Sequence, residues 1–190
     1  MTARVNTLLG VLLLGGTVSA QDDVQTRMQA WSRALGVECT HCHVDGAWTD
    51  TSKPIFEFAQ RMNRMVSALN AGPLKDVASI SCWTCHRGRT APPRLPRESW
   101  ENIRAEHINE FADRPNRAIA MSVYAASLGV DCSHCHESDR ALNTKPQKAL
   151  VREQMLPIFE EIPKHFSKER MPITQCFMCH QGRTRPERTP

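Results

Sequence analysis

Every cysteine of the 190-residue chain lies in one repeated pentapeptide, Cys-x-x-Cys-His. This spacing is typical of c-type haem attachment, in which two thiols bind one porphyrin and the adjacent histidine binds its iron. We therefore predict four covalently bound haem c groups. The attaching thiols would be Cys39 and Cys42, Cys82 and Cys85, Cys132 and Cys135, and Cys176 and Cys179. The proximal iron ligands would be His43, His86, His136 and His180.

Zinc sites and disulfides are the alternatives for eight cysteines. A zinc site would combine the thiol pairs of the first two motifs, and a second site those of the last two. Disulfides would suit an exported chain. Neither alternative explains why a histidine follows every second cysteine, so the haem interpretation is favoured.

Residues 1–20 are predicted to be a secretory signal peptide. Arg4 supplies a positive start, Leu8 to Leu14 an apolar core, and Val18 to Ala20 a small-residue cleavage site before Gln21. A membrane anchor is the alternative, but polar residues and glycines interrupt this segment, which is short for a span of about 20 residues. We expect a periplasmic mature protein without a transmembrane segment.

The formal net charge of +4 does not indicate a nucleic-acid partner. Signal removal takes away Arg4, and four haems would add eight propionate carboxylates, so the ferrous holoprotein would carry a net negative charge. Lysines and arginines are also scattered along the chain, without a basic stripe.

The second half of the chain repeats the first. Leu35–His43 recurs as Leu128–His136, 93 residues later, and Cys85–Pro92 recurs as Cys179–Pro186, 94 residues later. This predicts a mainly α multihaem cytochrome c with two pseudo-symmetric two-haem repeats and long haem-wrapping loops. The repeats would be residues 21–96 and 113–190, joined by a linker helix at 97–112. Because aromatic residues are scarce, we expect the haems to form much of the core, so that the chain folds poorly without them.

One methionine precedes the first motif of each repeat, at the same distance in both repeats. Met28 and Met121 each lie 11 residues before the first motif cysteine, on helix-like apolar stripes. Gly36 and Gly129 follow as expected C-caps. A helix along the haem face would bring each thioether to an iron as the distal ligand. Ordinary core packing is the alternative.

One further methionine follows the first motif of each repeat. Met62 and Met155 each lie 19 residues after a motif histidine, and we assign them to the irons of the second motifs. Met65 is a rival of Met62, but its counterpart is Ile158, which cannot bind iron, so Met65 is expected in the core. Pro157 is expected to kink the helix that carries Met155.

Weaker candidates for distal ligands remain open. His107 and His165 are free of the motifs, whereas His41 and His134 lie inside them and are expected to contact a haem edge or face solvent. The weakest candidates are Met171 and Met178. Arginines flank the second motif of each repeat and would either contact haem propionates or lie in solvent; they are Arg87, Arg89, Arg183 and Arg185.

The order of these features resembles the tetrahaem cytochrome subunit of bacterial photosynthetic reaction centres. Met28, the first motif, Met62, the second motif and their repeats carry the resemblance. It implies a roughly linear array of four haems held by two pseudo-symmetric two-haem units. In that family the array relays electrons from a soluble donor to a photo-oxidised pigment pair in the membrane.

We therefore predict a periplasmic electron carrier, not an enzyme, that relays electrons between redox protein partners. A soluble donor and a membrane-associated acceptor complex would be its partners, and its role could be that of a reaction-centre-type cytochrome subunit. The alternative is a multihaem reductase or peroxidase with one open haem site, for which the Cys176 haem is the candidate. A third interpretation is a subunit docked on a membrane complex without an independent role.

Overall fold

The computed structural model describes residues 20–106, 115–137, 145–167 and 175–190, and these are mainly helical. Within these ranges the only β pairing is an isolated bridge between Val44 and Ala47. The helices are α1 (Ala20–Leu35), α2 (Pro54–Ala71), α3 (Cys82–His86), α4 (Arg97–Glu106), α5 (Pro115–Leu128), α6 (Pro146–Leu150), α7 (Ile158–Glu161) and α8 (Phe177–His180). None of these described helices has the length and apolar character needed to cross a membrane.

Two predicted segments fall partly or wholly outside the described residues. The signal segment lies there apart from Ala20, which begins α1. Of the predicted linker at 97–112, the structure describes only α4, up to Glu106. Both remain predictions.

Helices α1 and α5 end in the same left-handed turn, as the glycines after them predict. Gly36 and Gly129 both have φ of +65°. The N–H of Val37 donates to the Ser32 carbonyl at 3.2 Å, and that of Val130 donates to the Ala125 carbonyl at 3.1 Å. This six-to-one bond is the Schellman motif, which satisfies carbonyls that the helix end leaves free.

The loop after each second motif closes onto these helix ends. The N–H of Gly88 donates to the Ala34 carbonyl at 2.8 Å, and that of Gly182 donates to the Ser127 carbonyl at 2.9 Å. A Cβ atom added at Gly36 would overlap the backbone carbonyl of Gly88. The two halves of the chain thus form equivalent contacts between a helix end and a second-motif loop.

The helices that carry Met62 and Met155 start alike but continue differently. Lys53 and Lys145 precede a proline at the first helical position. Lys53 and Met62 are nine residues apart, whereas Lys145 and Met155 are ten apart. The additional residue lies in a π-helical segment, Val151–Met155, which follows α6 directly.

The π-helical segment replaces the simple kink that Pro157 predicts. The Leu156 N–H donates to the Val151 carbonyl, five residues back, at 2.9 Å, and α7 begins at Ile158. A proline lacks an N–H, and its ring collides with the carbonyl four residues before it in a regular α-helix. A π-turn accommodates one inserted residue within an otherwise α-helical run.

The apolar core of the described residues is small. Leu69, Leu74 and Ile162 are buried together, and α2 packs against α7 and the 3₁₀ turn Ile162–His165. Partly buried side chains surround this cluster; they are Met65, Ile80, Met155, Ile158 and Phe166. The core therefore lies between the first half of the chain and the end of the Met155 helix.

Candidate haem sites

Each Cys-x-x-Cys-His motif folds into a single helical turn. The histidine N–H donates to the carbonyl of the first cysteine at 3.0 Å in the motifs of His43, His136 and His180, and α3 consists of the Cys82–His86 motif itself. Positions i, i+3 and i+4 share one face of such a turn. Both thiols and the imidazole of a motif therefore lie on the same side, as attachment to one flat group requires.

The imidazoles of the two second motifs are held by backbone carbonyls. The Nδ1 atoms of His86 and His180 lie 2.9 Å from the carbonyl oxygens of Arg89 and Arg183. Because a carbonyl only accepts, Nδ1 carries the proton and donates, which leaves the Nε2 lone pair for a metal. Burial, the largest cause, lowers the pKa of both histidines and favours the neutral, ligating form.

Left-handed residues create the turn that brings each carbonyl back to its imidazole. Arg87 and Gly88 have φ of 48° and 78°, and Gln181 and Gly182 have φ of 48° and 77°. A non-glycine residue in this region costs about 1–2 kcal/mol. Arg87 and Gln181 both adopt this unfavourable conformation directly after the motif histidine.

The first motif of the chain has an aromatic environment. The His43 ring contacts the Phe56 and Trp48 rings edge to face, with centroid separations of 5.5 and 6.2 Å. Its Nδ1 is buried and has no hydrogen-bond partner among the described residues. The Trp48 side chain is 54 % exposed, so this motif lies close to the surface.

Met62 and His86 lie on the wall of one cavity, as their assignment to the same haem would require. The cavity has a volume of about 70 Å³ and also includes Cys82. The remaining wall comes from Trp31, Leu35, His41, Cys42, Ile55, Phe58, Ala59 and Thr90. Pockets for drug-sized ligands measure about 300–1,000 Å³, so a haem bound between Met62 and His86 would move these walls apart.

The other methionines have different surroundings. Met65 packs against the apolar core, as predicted, but so does Met155. Met28 and Met121 are half-buried on α1 and α5. Iron ligation by Met28, Met62, Met121 and Met155 therefore stays a prediction.

Two rival ligands have local partners. His165 Nε2 lies 3.1 Å from the Glu161 carboxylate, and Met178 sulfur accepts from the Gln175 N–H at 3.4 Å. Hydrogen bonds from Lys164 and, next, His165 lower the pKa of Glu161. The remaining rivals, His107 and Met171, lie outside the described residues.

Helices α3 and α8 pack against each other and bring the two second motifs together. Cys85 and Cys179 form a disulfide, with their Cα atoms 4.3 Å apart. A thiol in a disulfide cannot also bind a haem, so this pairing and the predicted attachment are mutually exclusive at these residues. Burial raises the pKa of Cys82 and Cys176, the first thiols of the same motifs.

Arg87 crosses this contact. Its Nη2 donates to the Cys179 carbonyl at 2.7 Å, and its Nη1 lies 4.0 Å from the Glu187 carboxylate, which Arg183 approaches at 3.5 Å. The Arg87 side chain is only 13 % exposed, against 65 % for Arg183. The flanking arginines were expected either to contact haem propionates or to lie in solvent. Arg87 does not lie in solvent, whereas Arg89, Arg183 and Arg185 are exposed.

Sequence reasoning missed two lysines that hold the first motifs. Lys53 Nζ donates to the Thr40 carbonyl and Lys145 Nζ to the Ser133 carbonyl, both at 2.5 Å. Each lysine thereby ties the start of a methionine-bearing helix to the turn of the preceding motif. The signal was present in the sequence as a Lys-Pro pair that occurs once in each half.

Comparison with known proteins agrees with the haem interpretation. A family model described as "Photosynthetic reaction centre cytochrome C subunit" matches residues 18–126, more than half of the chain. The photosynthetic reaction center cytochrome c subunit of Rubrivivax gelatinosus is 37% identical over 83 residues, which cover 34% of this chain and 22% of that protein. The one from Thermochromatium tepidum is 26% identical over 161 residues, which cover 60% and 40%.

The chain thus spans less than half the length of these curated relatives. The family match, by its extent, nevertheless covers α1 to α4 and reaches into α5. It includes the first two motifs and ends at residue 126, before the third motif begins at Cys132. The chain belongs to the photosynthetic reaction centre cytochrome c subunit family.

Proposed function

We propose that the chain is a periplasmic four-haem cytochrome that relays electrons between redox proteins, with no substrate chemistry at an iron. The observation that carries this proposal is the shared cavity of Met62, Cys82 and His86. It supplies two ligand atoms of complementary kind for one iron, together with an attaching thiol. A six-coordinate iron of this kind exchanges electrons and leaves no position for a substrate.

Each haem c would supply one iron that gains or loses a single electron. The protein would hold it through the two motif thiols, bind the iron with the motif histidine and fix that imidazole through its Nδ1 proton. A thioether as the distal ligand and burial from water would set a higher potential than two histidines would. The two second-motif histidines already have the required orientation through Arg89 and Arg183.

We further propose that the chain forms two pseudo-symmetric two-haem units whose second motifs are neighbours. The equivalent Gly88–Ala34 and Gly182–Ser127 bonds support equivalent units. The packing of α3 on α8 supports a central pair formed by the Cys82 and Cys176 haems. In the mature protein Cys85 and Cys179 would each carry a thioether instead of their mutual disulfide, because each belongs to a complete attachment motif.

The partners would be a soluble electron donor and a membrane-associated acceptor complex. The names of the relatives make a photosynthetic reaction centre one candidate acceptor. Periplasmic location is supported by the predicted signal at residues 1–20, and the chain could serve as a docked subunit of such a complex. Haem propionates would give its surface a net negative charge, which favours donors with a positive docking face.

A reductase or peroxidase with one open haem is the second candidate. Met155 packs against the apolar core, which favours this candidate. With Met155 held there, its thioether would not fill the distal position of the Cys176 haem. In that case an added ligand would bind about one haem in four.

The test combines mass spectrometry of the purified protein with absorption spectra of its ferric and ferrous forms. We expect four covalent haems, a methionine–iron charge-transfer band and no response to cyanide or carbon monoxide. Ligand binding by about one haem would favour the second candidate. A colourless protein, or one with two haems and an intact Cys85–Cys179 disulfide, would contradict the four-haem proposal.

A further inference from the structure

We propose that the Cys85–Cys179 disulfide is a redox-sensitive lock, which closes when the chain folds before its second motifs have bound haem. A dithiol reductant has to open this lock before either second motif can attach a haem. The inference deepens the proposed four-haem function and rests on it, but the lock itself consists of the chain's own thiols.

The lock joins equivalent positions of the two repeats. Cys85 and Cys179 are the second cysteines of the two second motifs, and the 94 residues between them equal the offset of Cys85–Pro92 from Cys179–Pro186. Equivalent residues beside a twofold axis face one another across it. The Cα atoms of the two cysteines lie 4.3 Å apart where α3 packs on α8. The pseudo-symmetry of the chain therefore brings two like thiols together.

Hydrogen bonds that do not involve sulfur hold the two halves together around the lock. Arg87 Nη2 donates to the Cys179 carbonyl at 2.7 Å. The Ser81 hydroxyl donates to the Arg188 carbonyl at 3.3 Å. These bonds keep the two thiols at a high effective concentration relative to each other. An oxidant would therefore link them in preference to thiols held farther apart.

The lock closes and opens by thiol–disulfide exchange, which moves two electrons in each direction. Closing transfers two electrons and two protons from the Cys85 and Cys179 thiols to a disulfide oxidant, which becomes a dithiol. In the opening step, a thiolate of a dithiol reductant attacks one sulfur of the lock and forms a mixed disulfide. Its second thiol then displaces the bound cysteine. The reductant leaves as a disulfide, and both cysteines regain their protons.

The first thiols of the same motifs are poorly suited to open the lock from within. Cys82 and Cys176 are free thiols, each three residues before a cysteine of the lock. Burial raises the pKa of both thiols and so favours their protonated form. Because the thiolate is the attacking species, these thiols exchange slowly with the disulfide. The lock therefore depends on an external dithiol.

One lock blocks two attachment sites at once. Each second motif gives one of its two thiols to the disulfide, whereas the motifs of His43 and His136 contribute none. A locked chain could attach haem through both thiols at the first motifs only. The redox state of a single bond would thus decide whether the chain proceeds from two haems to four.

The test traps the thiols of the full chain, expressed in an oxidising compartment with haem in short supply. The chain is alkylated with iodoacetamide, digested without reductant and mapped by mass spectrometry. We expect the peptides joined through Cys85 and Cys179 to be the main cross-link. Dithiothreitol, a dithiol, should remove it and make both cysteines available for alkylation. Cross-links mainly within motifs, Cys82–Cys85 and Cys176–Cys179, would overturn the proposal, as would the absence of any cross-link.

A substitution at Arg87 tests the contact without changing a thiol. Arg87→Gln removes the charged donor, and glutamine suits the turn because Gln181 adopts the same φ of 48°. The ratio of the Cys85–Cys179 cross-link to cross-links within motifs should fall about tenfold, since a hydrogen bond from a charged donor contributes on that order. Arg94→Gln removes an exposed arginine from the following loop and should leave the ratio unchanged. An unchanged ratio in Arg87→Gln would overturn the proposal.

The lock and the proposed function fail in different measurements. The lock fails if the trapped chain lacks the Cys85–Cys179 cross-link, whatever the holoprotein carries. The four-haem function fails if the holoprotein, produced with ample haem and dithiol reductant, has a mass that corresponds to fewer than four haems.

Discussion

Single residues decide how closely the chain approaches itself beneath the motifs. Gly36 combines a left-handed φ with direct contact to the Gly88 backbone, whereas Gly46 has a similar φ of +71° and nothing within 4 Å. The sequence predicted the helix end at Gly36, because a glycine after an apolar stripe is a local signal. It did not predict the contact with Gly88, because that depends on packing between residues far apart in the chain.

Gly36→Ala should therefore destabilise the protein more than Gly46→Ala. A left-handed alanine costs about 1–2 kcal/mol at either position. Only at position 36 would the new methyl group also force the second-motif loop away. We expect a total of more than ~2 kcal/mol there, which lowers the thermal midpoint by ~4 °C or more in a chain of this size. Thermal melts of both holoproteins check this, and equal melting points would contradict the contact.

Met62 and Met65 lie one helical turn apart but have different surroundings, since Met62 lines the cavity and Met65 packs against the apolar core. Met62→Ala should open about one haem in four to carbon monoxide and reduce the methionine–iron band, because the thioether lies on the cavity wall with His86. Met65→Leu, a core substitution of similar volume, should cost less than about 1.5 kcal/mol and leave all haems closed. Carbon monoxide difference spectra of both variants separate the roles. Carbon monoxide binding in Met65→Leu alone would reverse the assignment.

At the scale of an element, the helix that carries Met155 differs from α2 by one residue. The sequence predicted a disturbance at Pro157, because a proline cannot continue a regular helix. It did not reveal a π-turn, since its signal is a one-residue difference between repeats that only the aligned Lys-Pro pairs show. The π-helical segment Val151–Met155 keeps ten residues between Lys145 and Met155 where α2 has nine.

Deletion of a single residue should consequently have opposite effects in the two helices. Removal of Arg152, which is exposed in the π-helical segment, should restore a regular helix and leave all haems closed to carbon monoxide. Removal of Glu57 should rotate the first residues of α2, which precede position 57, by about 100° relative to Met62. About one haem in four should then bind carbon monoxide. If both deletions open a haem, the π-turn does not serve as a register adjustment.

At the scale of the whole molecule, the small apolar core limits the stability that the polypeptide alone can supply. In the described residues, full burial of hydrophobic side chains is limited to Ala34, Leu69, Leu74, Ala125 and Ile162. A chain of this size normally needs a larger apolar core to offset its conformational entropy. Composition suggested this from the scarcity of aromatic residues. It could not show that the core would lie between α2 and the segment around Ile162, which joins the two halves.

Loss of haem should therefore prevent cooperative folding. A variant with all eight cysteines replaced by alanine, expressed without covalent haem, should show reduced helicity and a broad thermal transition. The holoprotein, melted in parallel, should unfold at a higher temperature in a sharper transition. Circular dichroism with gel filtration makes the comparison, and a compact variant with a sharp transition would show that the polypeptide alone supplies a sufficient core.

The contact between α3 and α8 has a consequence for how the protein matures. Cys85 and Cys179 end within one disulfide's reach, yet 94 residues of chain separate them. If the predicted signal at residues 1–20 directs export from the amino terminus, the Cys82–Cys85 pair would reach the oxidising side well before Cys179. A haem attached at that stage would occupy the Cys85 thiol before Cys179 arrives. The order of emergence would then protect the chain from a cross-link that its own fold favours.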